Sequence, residues 1–282
     1  MHISNLVVTQ LVGGLGNQMF QFAAGLGLAK SKSASLKIDS SAFRTYQLHK
    51  FDLLKWAVQS VEAEPLELKK LLEKKLFILP SKKFKEKQFS FDPEFFSINP
   101  PVYLEGYWQS EKYFKHVREE LLGLFVPVLE LSEYSRGIKK SISDSPCAVS
   151  LHVRRGDYLL SKNQSVHGSC GLDYYQKCIQ YFENKYSDLN FFVFSDDITW
   201  AKENLKFKGQ SEYVDGNGVD RNHEDMLLMS LCRHNVIANS SFSWWGAWLN
   251  KNAGQEVIAP KQWFATGKYN YQDIYCEGWM KL

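Results

Sequence analysis

Short β-branched and aromatic runs alternate along this chain with stretches patterned for helices, and most runs end in a glycine or a polar tip. Leu6–Val12 is such a run, Gly13-Gly14-Leu15-Gly16 is a tight turn, and Asn17–Lys30 places Met19, Phe20, Ala23, Ala24, Leu26 and Leu28 on a helical pattern. Ser35–Asp39 follows as a second strand. A strand–turn–helix–strand opening of this kind starts a parallel sheet. The alternation resumes at Cys147, with strands expected at Cys147–Leu151, Asn190–Phe194, Glu212–Val214, Val236–Ala238 and, last, Glu256–Ala259. Helices are expected at Asn222–Cys232 and Ser241–Lys251. Between the two halves, Phe51–Phe91 reads as helical with Pro65 and Pro80 as boundaries, Tyr103–Trp108 as a strand end, Glu111–Leu124 as helical, and Pro127–Pro146 as a connecting helix and linker. The pattern predicts an α/β protein with open, doubly wound sheets. At 282 residues and 44% hydrophobic content the chain suits two domains, expected at 1–140 and 141–282.

Composition excludes more than it selects. The net charge of +3 is not the footprint of a nucleic-acid binder. Lysines crowd the stretch from Lys69 to Lys87, for which a solvated face is the simplest reading and loose attraction to anionic lipids the functional one. The 5 cysteines are odd in number and form no CxxC pair, which argues against zinc and against a disulfide framework. The N-terminus lacks the basic and apolar regions of a signal peptide, and no stretch approaches the roughly 20 apolar residues of a bilayer span. The expected location is therefore cytoplasmic, with peripheral contact at the inner face of a membrane as the only membrane role, and the missing anchor suits a bacterial source.

The chemistry gathers at strand tips of the second half: His152/Arg154/Asp157, Asp196/Asp197, Asp215 and Asn239/Ser240/Ser241. In a parallel sheet these tips share one edge, where ligands bind. Arg154 and Arg155 are adjacent, so strand alternation sends them to opposite faces, one toward a ligand and one to anchor the loop. An arginine at such a tip is a preformed fork for phosphate or carboxylate. Ser240 and Ser241 precede the apolar run Phe242–Leu249 and read as a helix start, whose free N–H groups and dipole favour an anion. Trp244, Trp245 and Trp248 read as core. The N-terminal glycine turn is no Walker A loop, because no Gly-Lys-Ser/Thr follows, and Met19 stands where a dinucleotide fingerprint needs its third glycine. What it offers is close backbone approach at Gly14 and amides at Asn17 and Gln18. Asp196-Asp197 could suggest a magnesium site, but an arginine and a helix start can neutralise a diphosphate unaided, so no metal is expected. No GxSxG elbow supports a hydrolase.

GGLGNQMFQFA, HVRRGDY, FSDD and NSSFSWWGAWL occur here in that order, and in this combination the chain resembles the α-1,2-fucosyltransferases of glycosyltransferase family 11, from Leu11 to about Phe264. The resemblance implies a GT-B-like protein, two Rossmann-like domains facing a cleft. The N-terminal domain would lie on the acceptor side and the C-terminal domain would bind GDP-fucose. It implies inverting transfer of L-fucose from GDP-β-L-fucose to the 2-hydroxyl of a terminal β-galactoside, free or on a lipid-linked glycan, without cofactor or metal. It places His152 and Arg154 on the nucleotide diphosphate, Asp197 on the second acidic position of the FSDD-like motif, Asp225 on guanine, Ser240 and Ser241 on phosphate, and Asn17 at the sugar, with Gly14 the glycine whose backbone approaches the donor. Asp157, Glu105 and His152 are the candidates for a general base. Two other readings stay open: a transferase using another sugar nucleotide, and a non-catalytic carbohydrate-binding protein.

Overall fold

A computed structural model describes residues 4–45, 48–73, 82–156, 168 and 170–282. The chain divides into two compact units, Met1–Val128 with Asn270–Cys276, and Leu129–Tyr269 with Glu277–Leu282. The first unit thus ends before the expected boundary at residue 140. The reason is the helix Glu133–Asp144, whose Ile138 and Ile142 are buried against Phe192, Phe194 and Leu228 of the second unit. The first unit also takes back Asn270–Cys276, where Asp273 accepts from the Phe91 N–H (2.9 Å) and Ile274 is buried.

In chain order the first unit contains β1 (Leu6–Gln10), α1 (Leu15–Ser31), β2 (Ser35–Asp39), α2 (Pro65–Leu72), β3 (Lys83–Lys85), β4 (Val102–Glu105) and α3 (Arg118–Leu124). Its sheet runs β2-β1-β4-β3, and every pairing is parallel. Buried residues occupy nearly every position of α1, as expected for a helix apolar on all sides. Gly27 is required there, because a Cβ would stand 2.2 Å from the Tyr113 carbonyl oxygen.

The second unit contains α4 (Glu133–Asp144), β5 (Cys147–Val153), α5 (Leu172–Lys185), β6 (Leu189–Ser195), α6 (Ile198–Asn204), β7 (Gln210–Val214), α7 (Asn222–Leu231), β8 (His234–Val236), α8 (Ser241–Trp248), β9 (Val257–Ala259) and β10 (Met280–Lys281). Its sheet runs β10-β9-β8-β5-β6-β7, again wholly parallel. Winding moves outward from β5 through β6 to β7, then returns to β8 on the other side of β5, so the strand order reverses between β5 and β8. All seven residues of β5 are buried. Val149, Leu151 and Val153 pack with Tyr175, Ile179 and Phe182 of α5, while Ala148 packs with Ile142 of α4 and Met229 of α7, so both faces are covered.

The expected α/β, GT-B-like class is the one observed, but several local readings change. Among the described residues of 51–91, α2 is the only α-helix, and Lys83–Lys85 is a strand. Its lysines mask the pattern because β3 lies at the sheet edge, where charge is tolerated and discourages further pairing. Within 111–124, α3 follows two 3-10 turns instead of forming one long helix. The last strand is β10, beyond Glu256–Ala259. Four lysines of 69–87 meet local carboxylates, Lys69 with Glu73, Lys83 and Lys85 with Glu105, and Lys87 with Glu94. No described helix is long and apolar enough to cross a membrane.

At the N-terminal edge of the second sheet, Glu256 accepts hydrogen bonds from Tyr181 (2.6 Å), Lys185 (2.8 Å) and Tyr186. Burial alone would raise its pKa, but these donors hold it down at about 2, below the ordinary 4.5. A depressed acid stabilises the fold above the unfolded pKa, and that stabilisation is lost as pH falls toward the folded one. Glu256→Gln is expected to lower the thermal midpoint by a few degrees at pH 7. The difference from wild type should shrink between pH 4.5 and 2, as followed by circular dichroism.

Candidate active site

The register of the second sheet brings its strand tips together. Val153 pairs with Ser195, Phe194 with Val214, and Leu151 with Val236. Arg154, Asp196, Asp215 and Ile237–Ser240 therefore all emerge at the C-terminal edge. The reversal between β5 and β8 makes that edge the topological switch point, where open α/β sheets take their ligands.

On β5 alternation puts His152 on the face of Ala148 and Ser150, and its ring lies 5.7 Å from that of Phe242 in the first turn of α8. His152 is 4% exposed and its Nδ1 has no hydrogen-bond partner among the described residues. Burial pushes its pKa down to about 4, with Asp196 opposing and Arg154 reinforcing. The ring is neutral at pH 7, which suits hydrogen bonding and makes it a weak proton acceptor. The Ser240 Oγ caps α8 by accepting from the Phe242 N–H (3.3 Å), and Ser241 is the first helical residue. Asn239 is buried and donates to the Trp263 carbonyl (3.1 Å), which fixes the turn before the helix. Trp244, Trp245 and Trp248 pack on one another with ring centroids 5.1–6.1 Å apart and are core, as expected.

The two arginines separate as alternation requires. Arg155 stacks over the Trp200 ring at 4.0 Å and pairs with Asp197 at 3.2 Å, so it is the anchor. Arg154 faces Asp196 at 3.1 Å. Asp196 also accepts from the backbone N–H groups of Arg155 (2.8 Å) and Gly156 (3.1 Å), which shapes the loop after β5. The sequence pattern singled out Asp197. In the structure Asp197 caps α6 through the Trp200 N–H (3.1 Å) and holds Arg155, while Asp196 is the carboxylate on Arg154. Only the adjacency of the two acids hinted at that division. Asp157 lies outside the described residues.

Asp225 sits half-buried in the first turn of α7, where Asn217 donates to its Oδ1 (2.8 Å). Burial raises its pKa to about 7, the Asn217 amide opposes this, and Glu224 adds to it. Asn217 was not foreseen, because its Gly216-Asn217-Gly218 setting reads as a plain turn. Among the described residues, no cluster of three or more His, Cys, Asp or Glu side chains could hold a metal ion. All five cysteines are free and buried.

In the first unit, Gly13 has a φ of 80° and Gly14 caps α1. The Asn17 Oδ1 accepts from the Gln109 Nε2 (2.8 Å). Gln18, whose amide was expected at the helix start, and Gln21, which was not singled out, are both buried hubs. Gln18 donates to the Gly13 and Lys50 carbonyls and accepts from the Asp52 and Leu53 N–H groups. Gln21 accepts from the Val12 N–H and donates to the Gly106 carbonyl. They bind the exits of β1 and β4, which flank the switch point of that sheet.

Glu105, expected as a base, does not fit the role. Lys83 and Lys85 both pair with it, and although burial pushes its pKa up, their hydrogen bonds hold it below the ordinary value. Glu105→Gln should keep turnover within about twofold of wild type, because partly exposed ion pairs contribute little. A larger loss in steady-state kinetics would restore Glu105 as a candidate.

The profile of Glycosyl transferase family 11 matches residues 2–282. An alpha-1,2-colitosyltransferase of Escherichia coli is 35% identical over 99% of both chains. The Escherichia coli O-antigen biosynthesis glycosyltransferase WbnK is 33% identical over 96% of this chain and 99% of its own. Galactoside alpha-(1,2)-fucosyltransferase 2 of Sus scrofa is 29% identical over 56% of this chain and 47% of its own. Among solved structures, an Arabidopsis thaliana FUT1 mutant in complex with GDP shares the fold, with a TM-score of 0.52 at 15% identity over 90% of this chain and 70% of its own. The chain is a fucosyltransferase-like glycosyltransferase and belongs to glycosyl transferase family 11.

Proposed function

We propose that the protein transfers L-fucose from GDP-β-L-fucose to the 2-hydroxyl of a terminal β-galactoside, inverting the anomeric centre and using no metal ion. The observation that carries this reading is that Arg154 and the start of α8 both lie at the C-terminal edge of the second sheet, beside the β5/β8 switch point, with His152 packed against Phe242 of α8. Loss of GDP places negative charge on a diphosphate. The Arg154 guanidinium and the N-terminal end of α8 at Ser241 are positive partners fixed before the reaction, with the Ser240 hydroxyl beside them, and such preorganised electrostatics is commonly the largest catalytic contribution. An arriving diphosphate competes with Asp196 for Arg154, which needs no new arginine orientation. Neutral His152 supplies a ring N–H to the nucleotide. Asp197 acts at one remove, by holding Arg155. Asp225 accepts the N1–H and 2-amino hydrogens of guanine. Of the three bases considered, the low basicity of His152 and the lysine clamp on Glu105 leave Asp157 to take the hydroxyl proton.

A second donor deserves equal testing, because a relative of 35% identity is named for colitose, which is fucose without its 3-hydroxyl. The same nucleotide pocket would serve either sugar. The deciding experiment is a screen of GDP-fucose, GDP-colitose, UDP-sugars and ADP-sugars against lactose, type 1 and type 2 chains and lipid-linked repeats, in excess EDTA, with linkage analysis of products. An α-1,2-linked 6-deoxysugar on galactose is expected. Preference for UDP or ADP donors would overturn the donor class, and metal-reversible loss of turnover would overturn the metal-free reading. Arg154→Ala should lower kcat/KM about 10²–10³-fold with an unchanged melting profile.

The state of Asp225 makes GDP binding pH-dependent. Guanine requires the ionised carboxylate, and the free site protonates as pH falls through about 7. GDP affinity measured by calorimetry should therefore be flat above pH 8 and fall below pH 7 by up to about tenfold per unit. Asp225→Asn should abolish that slope.

A further inference from the structure

Around Asp225 the second unit builds a polar enclosure from three elements. Tyr134 in the first turn of α4 lies flat on Gly216, whose added Cβ would stand 2.7 Å from the ring, and the Tyr134 hydroxyl accepts from the Asp215 N–H (3.0 Å). This pins the exit of β7 to α4. Glu224, beside Asp225 on α7, is held by Ser132 (2.8 Å), Ser135 and Arg221, which pins α7 to the same turn of α4. Asn217 lies between. Its Nδ2 donates to the Asp225 Oδ1 and to the Ser135 Oγ, both at 2.8 Å, and its Oδ1 faces the Ser132 hydroxyl at 3.4 Å.

These contacts fix the amide in one sense. A flip would turn its carbonyl oxygen toward the Asp225 carboxylate, which only accepts. A plain turn residue would bond its own backbone. Both amide hydrogens of Asn217 instead leave the turn for other elements. The consequence falls on the carboxylate: one oxygen is tethered on the Asn217 side, so the plane of the group is set before any ligand arrives.

We propose that Asn217 is a positioning residue for nucleobase selection, orienting Asp225 so that its carboxylate meets the N1–H and exocyclic 2-amino group of guanine together. The inference rests on the reading of Asp225 as the guanine acceptor. A carboxylate free to rotate still attracts one donor, but it pairs poorly with two donors at fixed separation. Asn217 therefore contributes to discrimination between bases more than to overall affinity.

The test compares GDP with IDP, which lacks the 2-amino group, by calorimetry on the full chain. Wild type should favour GDP by about tenfold or more, the range of a hydrogen bond to a charged group. Asn217→Ala should bring that ratio to within about threefold, and the near-isosteric Asn217→Asp, which sets a second carboxylate against Asp225, should do so without changing shape. An unchanged ratio, or equal weakening of GDP and IDP, would overturn the proposal, because a merely structural role moves both ligands alike. Asp225→Asn separates the two levels. If it too leaves the ratio intact, the guanine reading of Asp225 fails; if it alone collapses the ratio, only the positioning role fails.

Discussion

A parallel strand buried on both faces cannot carry charge until it ends, and β5 is that strand. It has neighbours along both edges, α5 on one face and α4 and α7 on the other. Its charge-bearing side chains come at its end, His152 within the strand and Arg154 and Arg155 just beyond it. The exits of β6 and β7 add Asp196, Asp197 and Asp215, so the polar groups of the site gather where the backbone leaves the sheet. His152 shows the limit of the rule. It still lies within the buried strand, and the imidazole tolerates this by staying neutral.

The charges at that edge are paired across the β5 and β6 exits. Asp196 and Asp197 are consecutive, yet one serves Arg154 and two backbone N–H groups while the other serves Arg155 and the start of α6. Trp200 then presses on the Arg155 guanidinium from α6. The arrangement orients an arginine without shielding it fully, since Arg154 and Asp196 both keep about a quarter of their side-chain surface exposed. Orientation of this kind lowers the entropy lost when an anion binds.

Much of this was legible in the residues, and the illegible parts share a cause. Strand tips, the glycine turn and the serine helix start announce themselves through residue types tied to a geometry, and Arg154, Ser240 and Gly14 stand where those types require. The lysine-masked β3 did not, because an edge strand keeps its pairing while losing its apolar alternation. Asp196 is legible as a strand-tip acid but not as the partner of Arg154, and Asn217 carries no local signal; their partners, Arg154 and Asp225, become neighbours only through sheet register and helix packing. Gln18 is legible as an amide at the helix start, but neither it nor Gln21 gives a local hint that it closes loops more than thirty or eighty residues away. Glu105 misled in the opposite sense: it stands at a strand end, and only the folded partners reveal that Lys83 and Lys85 occupy it.

The return of Asn270–Cys276 to the first unit bears on how the protein can be cut. Asp273 fastens the Phe91 backbone and meets Lys112, and Ile274 fills a fully enclosed position. A fragment ending at Val128 would lose this buckle and expose an apolar socket, while the complementary fragment would carry a stray hydrophobic loop. Dissection for separate expression would have to graft the heptapeptide back onto the first piece, and a nick in the segment would damage a body whose other residues lie more than a hundred positions upstream.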